Sequence, residues 1–265
     1  MKQLMALLAL GIVAVLVLAA PASAQPRIKV ECSVYGPNRI DPIVLGSGHL
    51  HYHFGNTTTR NTSTGKSLKA TGPGATTCNM PWFTTAGWFP VERYADYNRQ
   101  PVDVYYRAPG DQRQVKAIPT GLQIVAKGPL YHCQDWRAGR VESVPPYSCG
   151  GRWNTHLRFP DCWDRQSLAW EDGAHMRSSS GGTCPAGFPY RIPKIEYKIN
   201  HQPPVPNPLT VSAGLGTWED YTFMHADYLA ANQDVFDNKL IDLCLRNAPD
   251  AVTVADARCG LEEGS

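Results

Sequence analysis

The sequence contains no Cys-Xaa-Xaa-Cys pair, no Gly-Xaa-Ser-Xaa-Gly elbow, no phosphate-binding glycine loop and no dinucleotide fingerprint. The first absence argues against a zinc ribbon or a thioredoxin-like redox pair. The second leaves an α/β-hydrolase serine without support. The others remove the common nucleotide-binding folds. Charge is scarce and balanced, with 25 Lys and Arg against 23 Asp and Glu in 265 residues. No run of basic residues offers a surface for nucleic acid or an anionic membrane. Runs of helical period are few, and beyond the first two dozen residues no stretch is long and apolar enough to span a bilayer.

What is present begins with an address. Met1 and Lys2 precede an almost unbroken apolar run from Leu4 to Ala20, followed by Pro21 and an Ala22-Ser23-Ala24 cleavage signal. Residues 1–24 are therefore expected to be a removed signal peptide, and residues 25–265 a single secreted domain that is monomeric and free of the membrane. All eight cysteines follow the leader. An even count in an exported chain implies up to four disulfides, with about 105 connectivities open. Cys244 with Cys259 is the expected pair, because a short loop after a helix closes easily and would stabilise by about 3 kcal/mol. If all eight pair, none is left as a nucleophile. The 23 glycines and 22 prolines, with abundant aromatics, favour short strands joined by turns. The expected fold is mainly β: a disulfide-stapled, β-sandwich-like domain with long loops and one C-terminal helix. That helix is placed at Asp234 to Arg246, where Phe236, Leu240, Leu243 and Cys244 recur at helical spacing.

The stretch from Gly48 to Asn56, GHLHYHFGN, holds three of the eight histidines at alternating positions. If it is extended, His49, His51 and His53 share one face, and Leu50, Tyr52 and Phe54 take the other as a packing set. Next-nearest neighbours on a strand are about 7 Å apart, whereas His49 and His53 are roughly 13 Å apart. One ion would thus be held by an adjacent pair, with a third ligand from elsewhere. Met224-His225-Ala226-Asp227 offers that ligand, because an extended backbone puts His225 and Asp227 on one side. The candidate metal set is His49, His51, His225 and Asp227, for one Zn or Cu ion. Between these segments, Thr57 to Gly74 reads as a polar surface loop, with glycosylation sequons at Asn56 and Asn61.

A second informative stretch is Arg158 to Asp164, RFPDCWD. Pro160 fixes a turn, Cys162 anchors it and Trp163 supplies a large face, so Asp161 and Asp164 are presented from a rigid frame. They suit general acid–base work or metal ligation. Alternatively, Asp161 accepts the turn hydrogen bonds of a disulfide-tied corner. Glu171, Asp172 and His175 lie close together downstream. Asp164, Asp161 and His175 are the candidate catalytic residues, and Trp163, Tyr52 and Asp41 the candidate substrate contacts.

Taken in order, Asp41-Pro42-Ile43-Val44, GHLHYHFGN, Val104-Tyr105-Tyr106, Pro119-Thr120-Gly121-Leu122, FPDCWD, His175-Met176, Cys184-Pro185 and His225-Ala226-Asp227 resemble one family. It comprises secreted actinobacterial and fungal proteins and is defined only as a domain of unknown function. The resemblance spans about Val34 to Leu245. Its pattern falls on His49, His51, Asp161, Cys162, Trp163, Asp164, His175, His225 and Asp227. This chain departs from it at Asp172, where the family usually carries a second histidine three residues before His175, and His53 is its own. The resemblance implies secretion and one domain, but no reaction.

Aromatic rings stack on sugar faces and carboxylates cleave glycosidic bonds, so the remaining chemistry suits sugar polymers. The expectation is a secreted hydrolase acting on an extracellular polysaccharide, metal-assisted, with the His/Asp cluster as active site. The alternative is a non-catalytic glycan-binding module gripping through Trp82, Trp88, Trp136 and Trp163, or a structural module. Convergence of His49, His51, Asp164, His175 and Asp227 in one cleft is the spatial test.

Overall fold

The computed structural model describes residues 26–93, 101–133, 141–143, 145, 153–201 and 209–247. The expected leader, Trp136 and Cys259 lie outside the described residues. Strand-period alternation builds the first sheet. In β1 (Arg27–Ser33), Ile28, Val30 and Cys32 share a buried face. They pair across β5 (Pro101–Arg107) with Tyr106, Val104 and Val102, which pair in turn with Ile195, Tyr197 and Ile199 of β13 (Lys194–His201). The sheet continues through β9 (Trp153–Arg158) and β7 (Leu130–Cys133) to β8 (Val141–Glu142), antiparallel throughout.

The second sheet runs in the order β2 (Tyr35–Asn38), β3 (His51–Gly55), β4 (Ala86–Pro90), β16 (His225–Leu229), β6 (Gln123–Lys127), again antiparallel. Tyr52, Phe54, Phe89, Ile124, Ala126, Ala226 and Tyr228 are its inward residues, and one apolar cluster joins them to the inward face of the first sheet. The rings of Phe54 and Tyr197 meet at 4.7 Å, and the hydroxyls of Tyr106 and Tyr228 lie 3.3 Å apart across the interface. Gly87 makes this approach possible: a Cβ there would stand 2.4 Å from the Phe54 ring and 2.7 Å from the Tyr197 hydroxyl. The result is the expected mainly β, sandwich-like architecture. Two small sheets complete it: β11 (Met176–Arg177), β10 (Cys162–Trp163) and β12 (Tyr190–Arg191), and the pair β14 (Thr210–Ser212) and β15 (Trp218–Asp220).

Pro37 lies within edge strand β2, a position that suits a residue with no N–H to donate. Two local expectations are corrected. The polar loop contains a short helix, α1 (Gly65–Lys69), started by a reciprocal Thr64/Ser67 capping box, and its Leu68 packs with Trp88 on the outer face of the second sheet. The C-terminal helix, Val235–Arg246, is wound as a π-helix. Its i→i+5 bonds put more than four residues in each turn, so Phe236, Leu240, Ile241, Cys244 and Leu245 face the core while Leu243 stays 47% exposed.

Disulfides join Cys32 to Cys78 and Cys162 to Cys184, and Cys133 and Cys244 are also disulfide-bonded. Of the two sequons, Asn61 is exposed, but Asn56 is buried with its amide donating to Leu68 O and Thr71 Oγ1. No helix among the described residues is long and apolar enough to cross a membrane.

Candidate metal centre

The histidine strand β3 turns its aromatic residues Tyr52 and Phe54 to the core, so His51 and His53 point to the outer face of the second sheet. Both are nevertheless fully buried. His53 lies beside Trp88, its register partner on β4, with the two rings stacked at 5.7 Å. His51 pairs with Pro90, the last residue of β4. Beyond β4 lies β16, whose alternation places His225 and Asp227 on the same outer face. His51 and His225 thus meet across one strand, with ring centroids 6.1 Å apart. His49, just before β3, closes the triangle at 5.4 Å from His51 and 5.5 Å from His225. One ring nitrogen from each of His49, His51 and His225 lies within 4.8 Å of the other two.

The electrostatics keep these imidazoles neutral. Burial is the main cause of depression at His51, whose pKa falls to about 2, with His225, His53 and His49 adding to it. Burial likewise lowers His225 and His53 to about 4, and His49 moves in the same direction. Neutral rings present lone pairs at any physiological pH. Both nitrogens of His51 and Nδ1 of His49 are buried without a hydrogen-bond partner. His225 Nδ1–H donates to the Phe223 carbonyl at 3.0 Å, which leaves Nε2 unprotonated. That Nε2 lies 3.6 Å from Asp227 Oδ2, itself buried and unpartnered. Burial, then the nearby Asp41, pushes the Asp227 carboxyl well above its ordinary range.

A tetrahedral zinc with Zn–N near 2.1 Å holds its ligand atoms about 3.4 Å apart. The His225–Asp227 spacing meets that figure, and ring shifts of under about 1 Å would bring the three nitrogens to it. A cavity of about 390 Å³ opens beside the cluster. Asp41, His49, His225, Asp227, Lys127 and Trp170 are among the residues that line it.

The sequence-derived metal set is therefore brought together, and Asp41 joins it at the cavity. The other candidates are not. Asp161 is fully buried and accepts from Ser179 N at 2.8 Å and Ser179 Oγ at 2.6 Å, so its oxygens hold the disulfide-tied corner. Asp164 accepts from Gln166 N at 2.8 Å in a local turn. His175 is buried and donates through Nε2–H to the Gln123 carbonyl at 2.8 Å. None of the three lines the cavity. Trp163 packs on Tyr190 and donates to the Ser167 carbonyl. Tyr52 lies in the core against Phe89, on the face opposite the histidines. Strand alternation alone indicated that last placement. Lys127, Trp170 and Phe223 were missed; only Phe223, two residues before His225, carried a positional signal.

Fold and site together define a disulfide-linked, sandwich-like β protein with a three-histidine cluster, His51 buried and His49 and His225 half-buried, beside a carboxylate. A profile of the family described as Domain of unknown function (DUF1996) matches residues 40–231, and the chain belongs to that family. No curated protein and no solved structure matches it.

Proposed function

We propose that the protein is a secreted, metal-dependent hydrolase acting on an extracellular polysaccharide, with His49, His51, His225 and Asp227 holding one zinc or copper ion. The observation that carries the reading is the convergence of three neutral imidazoles, with nitrogens within 4.8 Å of one another, from two separate segments of the chain. Burying both nitrogens of His51 and Nδ1 of His49 without hydrogen bonds is costly, and a cation would offset that cost. Imidazole suits zinc and copper, and with Asp227 as the fourth donor a water or substrate oxygen would enter by expansion to five ligands, or in the place of Asp227 when that carboxyl is protonated. The ion would supply Lewis-acid polarisation of a substrate oxygen at the cavity. Asp227, buried beside His225, completes the set or holds a proton there. The paired disulfides fit an oxidising compartment.

A glycan-binding module built on tryptophan platforms has less support. Trp88 is buried under α1, and Trp163 is half-buried in the small sheet.

The test is elemental analysis of dialysed, metal-challenged protein, followed by product release from a panel of polysaccharides. The wild type should hold about one equivalent of Zn²⁺ or Cu²⁺ and release soluble sugar. The His49→Ala, His51→Ala double variant should lose both, its fold checked by circular dichroism. Undiminished metal in that variant, or a metal-loaded wild type that releases nothing, would overturn the reading.

A further inference from the structure

The wall of the cavity next to His225 is built from the outward face of β6, where Lys127 pairs in register with His225, and from the loop that follows β10. Gln123, at the start of β6, ties that loop down three times. Gln123 N donates to the Leu168 carbonyl at 2.8 Å. Trp170 N donates to Gln123 Oε1, and His175 Nε2–H to the Gln123 carbonyl, each at 2.8 Å. The Trp170 ring is fixed as well. His175 meets it edge-on at 6.2 Å, and a Cβ on Gly173, at φ +75°, would stand 2.8 Å from it. Four residues along β6 from Gln123, Lys127 reaches over the same ring, with Nζ 5.6 Å from its centroid. Asp172, held at φ +50°, stands on the same rim.

Lys127 is the basic side chain of this cavity and has no ion pair among the described residues. The Asp41 carboxylate is held by Ile43 N, Val44 N and Ser47 Oγ, and Lys127 favours the charged form of the buried Asp227, but neither carboxylate makes an ion pair with Lys127 among the described residues. Among the described residues no arginine lines the cavity, so they offer no planar fork of the kind that suits a phosphate dianion. A single ammonium beside a fixed indole suits a ring bearing one negative charge.

We infer that this wall is a subsite for an acidic sugar, in which Lys127 pairs with the carboxylate of a uronate residue and Trp170 contacts its ring. The inference rests on the cavity being the saccharide site proposed above. Asp172 then accepts hydroxyl hydrogen bonds, and His175 is a positioning residue that holds Trp170. This gives His175 a role away from the reacting atoms. The cavity, near the lower end of the roughly 300–1,000 Å³ range of small-molecule sites, takes a short saccharide segment.

The experiment is calorimetric titration of the full mature protein, with and without zinc, using three short oligosaccharides of equal length: a glucuronate, a neutral glucose series and a sulfated series. The wild type should bind the glucuronate about tenfold more tightly than the neutral sugar, a gain in keeping with one charge pair. Lys127→Met should erase that preference and Lys127→Arg should keep it. Trp170→Ala should weaken both sugars alike. Equal binding of acidic and neutral sugars, preference for the sulfated series, an unchanged preference in Lys127→Met, or no sugar binding by the wild type would each overturn the subsite. The zinc-free arm reads Lys127 independently of the metal centre. Loss of metal stoichiometry with the acid preference intact would count against the centre alone.

Discussion

At the scale of single residues, the histidine strand depends on where it ends. Gly55 closes β3 at φ +78°, and a Cβ there would stand 2.0 Å from the Thr85 carbonyl of the adjoining chain. Both the left-handed backbone and the contact exclude a side chain. Gly55→Ala is therefore expected to destabilise the protein by about 2–4 kcal/mol, visible as a lower urea midpoint at unchanged m. A midpoint equal to the wild type would mean that Thr85 yields freely. Much of the metal set was legible at this scale. The period-two placement of His49 and His51, and of His225 and Asp227, needs only an extended backbone. Asp161 and Asp164 misled for a physical reason. A carboxylate held by a proline and a disulfide looks the same in sequence whether it faces a cleft or caps its own turn, and Ser179, which occupies Asp161, lies 18 residues away.

At the scale of elements, the C-terminal helix shows how a pattern can place a helix and most of its inward face, Phe236, Leu240 and Cys244, yet misplace one residue of it. Spacing at three and four residues put Leu243 inward, but π winding turned it to solvent and brought Asp237 inside. Asp237 is only 6% exposed, with Asn232 Nδ2 at 3.5 Å from its Oδ1. Burial, opposed by Lys69 and Asn232, pushes its carboxyl up to about 8, against about 3.9 in an unfolded chain. The folded state thus holds this proton more tightly than the unfolded state. Its contribution to stability is full below about pH 4 and is lost as pH rises through about 8. Asp237→Asn, which cannot ionise, should raise Tm at pH 8 while changing it little at pH 4. Thermal unfolding at the two pH values checks this, and a variant less stable at both would show that the carboxyl serves the fold in its charged form.

At the scale of the whole molecule, chain order and spatial order part company. The second sheet sets β16, the last strand among the described residues, beside β4, so His51 and His225 meet across one strand although most of the chain separates them in sequence. Composition announced a turn-rich β protein, but nothing in the sequence reported the strand order, or that β6 would bring Lys127 beside His225 at the same cavity. A disulfide also ties the first sheet to a segment that touches the second. Cys32 ends the buried row of β1, and Cys78 belongs to a segment hydrogen-bonded to both sheets: Ser33 N donates to Thr77 O, Asn79 N to Glu31 O and Thr77 N to Gly55 O. The bridge therefore fastens the end of the histidine strand that is remote from His49. It spans 46 residues, against 22 for Cys162–Cys184, and chain entropy assigns the two loops about 4 and about 3 kcal/mol. Cys32→Ala with Cys78→Ala should accordingly cost about 4 kcal/mol in urea unfolding of the otherwise oxidised protein, leaving metal stoichiometry unchanged. The matching Cys162, Cys184 pair of substitutions should cost slightly less, with loss of the Asp161 corner adding to it. A Cys32/Cys78 variant that unfolds at the wild-type midpoint would show that the hydrogen bonds of the 76–79 segment hold the sheets together without the bridge. One that keeps its fold but loses the metal would show that the far end of β3 sets the position of His51.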